Sequence, residues 1–187
     1  MSYDRLYLIV TGAASARQVP SLLAALVPGF ASIVTVLTPN AQQVVSQREL
    51  ALIPGHRVVE SYFDEAILPR PTEGVLLVAP CSFNTLNKLA AGVADSLALS
   101  IAAEAIGRRT PVVVALSLNE PLWRHPRSAE SAATLRRWGV AVIDPAPDER
   151  GQLTMAPLDV VVARVREASA RRSAAKRDGD DSGRDQG

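Results

Sequence analysis

The chain has 187 residues, 48% of them apolar, and a formal net charge of +1. That length suits one domain with a full core. The apolar share excludes a disordered chain, and the near-neutral charge excludes a dominant nucleic-acid footprint. A single cysteine rules out a disulfide framework, and two histidines, His56 and His125, make a zinc site improbable, so no metal ligand is assigned. MSYDRLYLIV meets Thr11-Gly12 too soon for a signal peptide or membrane span. The expectation is a soluble, cytoplasmic protein with no membrane partner.

RLYLIV (5–10) is an apolar run stopped by Thr11-Gly12 and reads as a buried strand. ARQVPSLLAALV (16–27) places Val19, Leu22, Leu23 and Leu26 at helical spacing, with Pro20 in the first turns where proline is tolerated. SIVTVLT (32–38) is β-branched and reads as the second strand. AQQVVSQREL (41–50) reads as a helix, HRVVES (56–61) as a weaker strand, and the proline-containing 64–74 as a loop.

GVLLVAP (74–80) is again a strand, TLNKLAAGVAD (85–95) a helix, and 96–109 a second helix ending near Gly107. TPVVVALS (110–117) is a strand, 127–139 a helix ending at Gly139, 140–145 the last strand and 157–172 a C-terminal helix. Residues 173–187 are almost free of apolar side chains and read as a disordered polar tail, leaving one domain over 1–172. Strands that are apolar on both faces and alternate with helices predict an α/β fold: one doubly wound, Rossmann-like domain with a parallel sheet flanked by helices. Ligands of such folds sit outside the carboxyl ends of the strands, which directs attention to 11–16, 38–40, 80–85 and 117–125.

At the first strand end, VTGAASA (10–16) offers Gly12 for close backbone approach and free N–H groups for an anion, with hydroxyls on Thr11 and Ser15. The competing reading is a tight strand–helix turn with Ser15 as cap. The incomplete glycine pattern does not meet the dinucleotide fingerprint, which disfavours a nicotinamide-dependent oxidoreductase. TPNA (38–41) places Thr38 to bond a phosphate or a ring edge, or to cap a turn. In PCSFNT (80–85), Ser82, Asn84 and Thr85 crowd one helix start. One cap needs one residue, so a buried polar ligand explains the surplus better than capping alone. In LSLNEPLWRHP (116–126), Asn119 offers a donor and an acceptor, Trp123 reads as packing, and His125 is a surface or site histidine.

Together these stretches resemble the flavoprotein family of homo-oligomeric flavin-containing cysteine decarboxylases. VTGAASA resembles the family's V-T-G-S-I-A-A, with Ala13 and Ala14 where Ser and Ile are usual. APCSFNTLNKLAAGVADSLAL is similar to A-P-A-S-A-N-T-x-x-K-x-A-x-G-x-A-D-N-L, the most specific match. LSLNEPLW resembles a degenerate P-x-M-N-x-x-M-W that keeps Asn119 and Trp123. The resemblance covers about residues 5–145. It implies a flavodoxin-like domain that binds FMN, assembled as a homotrimer or a multiple of trimers. It implies Gly12, Ser15 and Thr38 around the flavin phosphate, Ser82, Asn84 and Thr85 facing the flavin, and Asn119 gripping a substrate carboxylate or amide. The implied reaction is flavin-dependent oxidation of a cysteinyl thiol followed by loss of CO2, on a small-molecule or peptide substrate.

The chain departs from the family at two points. No histidine stands near Ala66, where the decarboxylases keep their base; Asp64 and Glu65 are the titratable residues there. No cysteine stands in 144–159, where the decarboxylases carry a clamp cysteine, and Cys81 reads as a packing residue. His125 is then the candidate replacement base. The alternatives are a catalytically silent flavin-binding or regulatory subunit and, third, a flavin prenyltransferase-like enzyme.

Overall fold

The computed structural model describes residues 3–67 and 74–181, with side chains described for 5–67 and 74–172. A six-stranded sheet runs in the order β3-β2-β1-β4-β5-β6. Its strands are β1 (Tyr3–Val10), β2 (Phe30–Leu37), β3 (His56–Val58), β4 (Val75–Cys81), β5 (Val112–Leu116) and β6 (Ala141–Ile143). All neighbouring pairs are parallel. This is the doubly wound α/β fold expected from the alternation of strands and helices.

Strand periodicity divides the core in two, because successive side chains point to opposite faces. Leu6, Leu8 and Val10 of β1 pack with α1 (Val19–Leu26) and with Val161, Val162 and Val165 of α7 (Leu158–Asp181). Tyr7 and Ile9 point the other way, onto α3 (Phe83–Ala90), α4 (Leu97–Gly107) and Leu135 of α6 (Pro126–Arg137). Every residue of β4 is buried, which is why GVLLVAP carries no polar alternation.

Several elements differ from the sequence expectation for local reasons. The helix expected over 41–50 is a 3-10 turn (Ala41–Gln43) followed by the short α2 (Gln47–Leu50). Ser46 restarts the chain there, its hydroxyl accepting from the Glu49 N–H at 3.3 Å as an N-cap. The helix expected over 85–95 ends at Ala90, because Gly92 turns left-handed (φ 70°) and the Gly92 and Val93 N–H groups close onto Leu89 and Lys88 carbonyls. A short α5 (Glu120–Trp123) and an antiparallel hairpin, β7 (Ala146–Pro147) with β8 (Leu153–Thr154), occur where loops were expected. The backbone of α7 continues to Asp181, so residues 173–181 of the expected tail are helical, while 182–187 lie outside the described residues. The loop expected over 64–74 includes a 3-10 turn, Glu65–Ile67, and its residues 68–73 also lie outside them.

Chain order reverses between β1 and β4, which sit side by side while their crossovers leave to opposite sides. A doubly wound sheet opens a crevice at that point.

Candidate functional site

The crevice is a cavity of about 660 Å³ at the carboxyl ends of β1, β2, β4 and β5, within the span of about 300–1,000 Å³ usual for small-molecule sites. Ile9, Val78, Leu99, Ala102 and Leu118 give it apolar walls. Its polar lining includes Thr38, Asn40, Ser82, Asn84, Ser117 and Asn119. Lys88 and Asp95 are the charged residues of the described lining, and they pair with each other at 2.5 Å.

The junction of β1 and β4 is built by Thr11. Pro80 has no N–H to give the ladder, and the register shifts between Val78 and Cys81. The Pro80 carbonyl is instead taken by Thr11, whose N–H donates at 3.3 Å and whose hydroxyl donates at 2.7 Å. The same hydroxyl oxygen accepts from the Ser82 N–H at 2.9 Å. Thr11 is 1% exposed, so one side chain fixes the two strand ends to each other. Sequence reasoning noted only that Thr11 adds a hydroxyl; its role as a staple depends on a partner 71 residues away.

Gly12 is required by a close approach. A Cβ placed there would lie 2.4 Å from the Asn40 Cβ and 2.9 Å from its carbonyl carbon. The approach comes from the loop after β2, which lets the first two strand ends share one rim. Beyond Gly12 the chain enters a 3-10 turn, Ala14–Gln18, capped by no side chain. Among the described residues the main-chain N–H groups of Gly12, Ala14 and Ser15 have no hydrogen-bond acceptor.

Gly12, Thr38, Ser82, Asn84, Thr85 and Asn119 all line this one cavity. Ser82 is the N-cap of α3, its hydroxyl accepting from the Thr85 N–H at 3.4 Å and lying 3.1 Å from the Thr85 hydroxyl. Thr85 is buried. Two of the three polar side chains at this helix start are thus engaged with each other, and Asn84 alone is left open to the cavity. Thr38 accepts from the Ala41 N–H at 3.4 Å, which leaves its hydroxyl proton free. Asn119 caps α5, its Oδ1 accepting from the Leu122 N–H at 3.1 Å. That bond commits the oxygen and leaves the amide NH2 to point elsewhere.

Ser15 and His125 stand outside the lining. The Ser15 hydroxyl lies 2.9 Å from the Ser117 hydroxyl and 2.8 Å from the Thr154 hydroxyl. His125 is exposed, caps α6 by accepting from the Arg127 N–H at its Nδ1 (3.1 Å), and meets the Phe83 ring edge-on at 5.3 Å. Phe83 lines the cavity, so His125 backs the wall from outside. Trp123 packs against the core on the α3 side of the sheet. Cys81 is fully buried, and desolvation pushes its thiol well above the ordinary range. It is a packing residue and not a thiolate. Asn40, Leu153 and Thr154 also line the cavity. Sequence reasoning assigned none of them, although TPNA displays Asn40 directly.

Among the described residues, no group of three or more His, Cys, Asp or Glu converges to hold a metal, and no helix is long and apolar enough to cross a membrane.

Known proteins share this architecture. The chain is 29% identical over 175 residues to mouse phosphopantothenoylcysteine decarboxylase, covering 83% of this chain and 82% of the relative. It is 25% identical over 167 residues to the coenzyme A biosynthesis bifunctional protein CoaBC of Thermococcus kodakarensis, covering 86% of this chain. The chain spans only 41% of that bifunctional relative and 34% of its Mycobacterium tuberculosis counterpart. In fold it is similar to peptidyl-cysteine decarboxylase EpiD, with TM-score 0.76, 20% identity and coverage of 87% of this chain and 98% of that one. It is also similar to the FMN-dependent cysteine decarboxylase SpaF, with TM-score 0.75, 24% identity and coverage of 89% and 97%. The FMN binding protein AtHal3 matches with TM-score 0.72, 22% identity and coverage of 87% and 94%. The Flavoprotein family model matches residues 1–169, and with the six-stranded parallel sheet and its switch-point cavity this chain belongs to the Flavoprotein family.

Proposed function

We propose that the chain binds FMN in the switch-point cavity and acts as an FMN-dependent decarboxylase-type enzyme on a cysteinyl or related carboxylate substrate. The observation that carries this reading is the pairing of apolar walls with uncommitted polar groups in one cavity. Ile9, Val78, Leu99 and Ala102 suit a flat apolar ring system. The acceptorless N–H groups of Gly12, Ala14 and Ser15 suit an anionic phosphate. The chemistry of these donors therefore fits the group.

In this reading the main chain at 12–15 and the Thr38 hydroxyl hold the phosphate end. Asn40 and Asn84 meet polar ring edges with their side-chain amides, and Ser82 and Thr85 keep α3 in register beneath them. Asn119 turns its NH2 toward a substrate carboxylate, because its oxygen is held by the Leu122 N–H. A bound flavin supplies a two-electron acceptor for oxidation of the substrate thiol, which permits loss of CO2 from the neighbouring carbon. The homologous decarboxylases named above support the same reaction class. We read the active form as a homo-oligomer of trimeric type; the exposed Leu52, Phe63 and Trp138 are apolar surface available to such an assembly.

A second reading, a flavin-binding subunit without turnover, is favoured by one specific observation: among the described residues no histidine lines the cavity. CO2 release by the wild type separates the two, and His125→Ala tests whether His125 is the base. Catalysis through His125 predicts loss of turnover on a cysteine-terminated peptide with bound flavin unchanged. Unchanged turnover removes His125 from the mechanism, and a wild-type protein that holds flavin yet releases no CO2 supports the silent reading. The cofactor assignment is tested by the absorption spectrum of the purified protein and the mass of whatever acid releases. Flavin bands with FMN released are expected; a colourless protein that takes up no added FMN overturns it.

A further inference from the structure

We propose that the Ser117 hydroxyl is a specificity-determining donor that stands beside Asn119 to hold the substrate carboxylate, with Ser15 as the positioning residue that aims its proton. This deepens the proposed function and rests on it for the identity of the anion. Ser117 prolongs β5: its N–H donates to the Cys81 carbonyl at 2.9 Å, so the chain is still extended there. Side chains alternate between two faces along an extended stretch. Leu118 is 2% exposed and packs into the core, while its neighbours Ser117 and Asn119 both line the cavity. The two polar side chains therefore face the same space.

Behind that wall the Ser15 hydroxyl, in a residue 5% exposed, meets those of Ser117 and Thr154 and bonds each of them. Among the described residues these three hydroxyls make no other side-chain hydrogen bond. Each hydroxyl carries one proton, so the two bonds use two protons and leave one to spare. Were Ser15 to accept from both partners, its own proton would be stranded in a buried place without an acceptor, which is costly. Accepting from Ser117 alone leaves the spare proton on Thr154. Accepting from Thr154 alone makes Ser15 donate to Ser117, and the spare proton then sits on Ser117 at the cavity. An anion beside Asn119 favours this last arrangement, because every hydroxyl donates in one direction and each bond strengthens the next. Asn119 meets the same anion with its NH2, since its oxygen is held by the Leu122 N–H. A carboxylate has an oxygen for each of the two donors. The flavin phosphate is the other anion of this reading, but the face shared with Asn119 assigns the Ser117 proton to the carboxylate.

The test uses N-acetyl-L-serine and N-acetyl-L-serinamide, which carry a hydroxyl in place of the thiol and differ only in the carboxylate. Both are titrated by NMR into the FMN-loaded full chain, for wild type, Asn119→Ala, Ser117→Ala, Ser15→Ala and the Ser15→Ala, Ser117→Ala double variant. FMN affinity and melting temperature are recorded for each. Wild type is expected to prefer the acid. Ser117→Ala is expected to weaken acid binding about tenfold, the factor for one hydrogen bond to a charged group. Its affinities for the amide and for FMN stay near wild type. Ser15→Ala gives a smaller loss in the same direction, and the double variant loses no more than Ser117→Ala, because Ser15 acts through Ser117. Unchanged acid binding in Ser117→Ala overturns the proposal, and a loss in Asn119→Ala then leaves the carboxylate reading standing. Weaker FMN binding with an unaltered preference for the acid gives the hydroxyl to the flavin phosphate and overturns the proposal as well. A wild type that does not prefer the acid overturns both readings. If wild type takes up no FMN, the flavin reading falls separately, and the acid–amide comparison on the flavin-free chain decides.

Discussion

The cavity has an inner layer and an outer rim, and they use polar side chains in opposite ways. In the inner layer, Thr11, Ser15, Ser82 and Thr85 are partly or fully buried, and their hydroxyls bond other hydroxyls or the main chain. At the rim, Asn40, Asn84 and Asn119 are exposed. Asn40 and Asn84 have no side-chain partner within the described chain, and Asn119 has only its oxygen engaged. Short hydroxyl side chains satisfy the buried polar groups that a strand-to-helix turn creates, at a distance too short for a ligand to intervene. Longer amide side chains reach past that layer and retain both donor and acceptor capacity. The inner layer therefore sets the shape of the site, and the rim meets what fills it.

Substitutions in the two layers should separate stability from binding. The largest effect is expected for Gly12→Ala. The added Cβ meets the Asn40 Cβ and main chain, so the two loops must part, at a cost of about 3 kcal/mol. Thermal melting should show the loss, and FMN uptake should disappear with it. Thr11→Val comes next. It leaves the Ser82 N–H without its acceptor and removes one donor from the Pro80 carbonyl, costing about 2 kcal/mol. Chemical denaturation should report this as a lower midpoint with an unchanged slope. Asn84→Ala is the opposite case. It should leave stability within about 0.5 kcal/mol of wild type and weaken FMN binding about tenfold, equivalent to about 1.4 kcal/mol. A melting curve and a flavin titration on the same sample check both halves. If Asn84→Ala unfolds the protein and Thr11→Val spares it, the division into layers is wrong.

The smallest effect concerns Cys81. Burial raises its thiol above the unfolded value, so the folded state keeps the proton while the unfolded state loses it above about pH 8.5. The unfolded state then binds fewer protons, and stability falls as pH rises through that point and beyond. Cys81→Ala should lack this alkaline slope. In the wild type, iodoacetamide at neutral pH should label Cys81 only after unfolding.

The sheet was legible in the sequence because each strand announces itself by its own residues: RLYLIV, SIVTVLT, GVLLVAP and TPVVVALS are runs of buried apolar side chains between turn residues. The four strand ends followed from that order, and six of the eight site candidates line one cavity. The use each side chain is put to was less legible. PCSFNT displays three polar side chains, but only the fold reveals that Ser82 and Thr85 bond each other and leave Asn84 open. Ser15 was read as a phosphate-side hydroxyl, and its partners Ser117 and Thr154 are far away in sequence. His125 looked like a site residue because it follows Asn119, but the turn of α5 carries it behind Phe83. The β7–β8 hairpin was missed because its strands are two residues each, too short for any alternation to register. Local pattern reports burial, whereas hydrogen-bond partnership across 70 or more residues depends on topology.

We propose that the open rim at the switch point is the flavin site. Its most direct test is a fluorescence titration of FMN into the flavin-free protein, run in parallel on wild type and Asn84→Ala, with melting temperatures recorded for both. Saturable uptake by wild type, weaker uptake by Asn84→Ala, and equal melting temperatures without flavin are expected. No uptake by a folded wild-type protein, or equally tight uptake by both, would contradict this assignment.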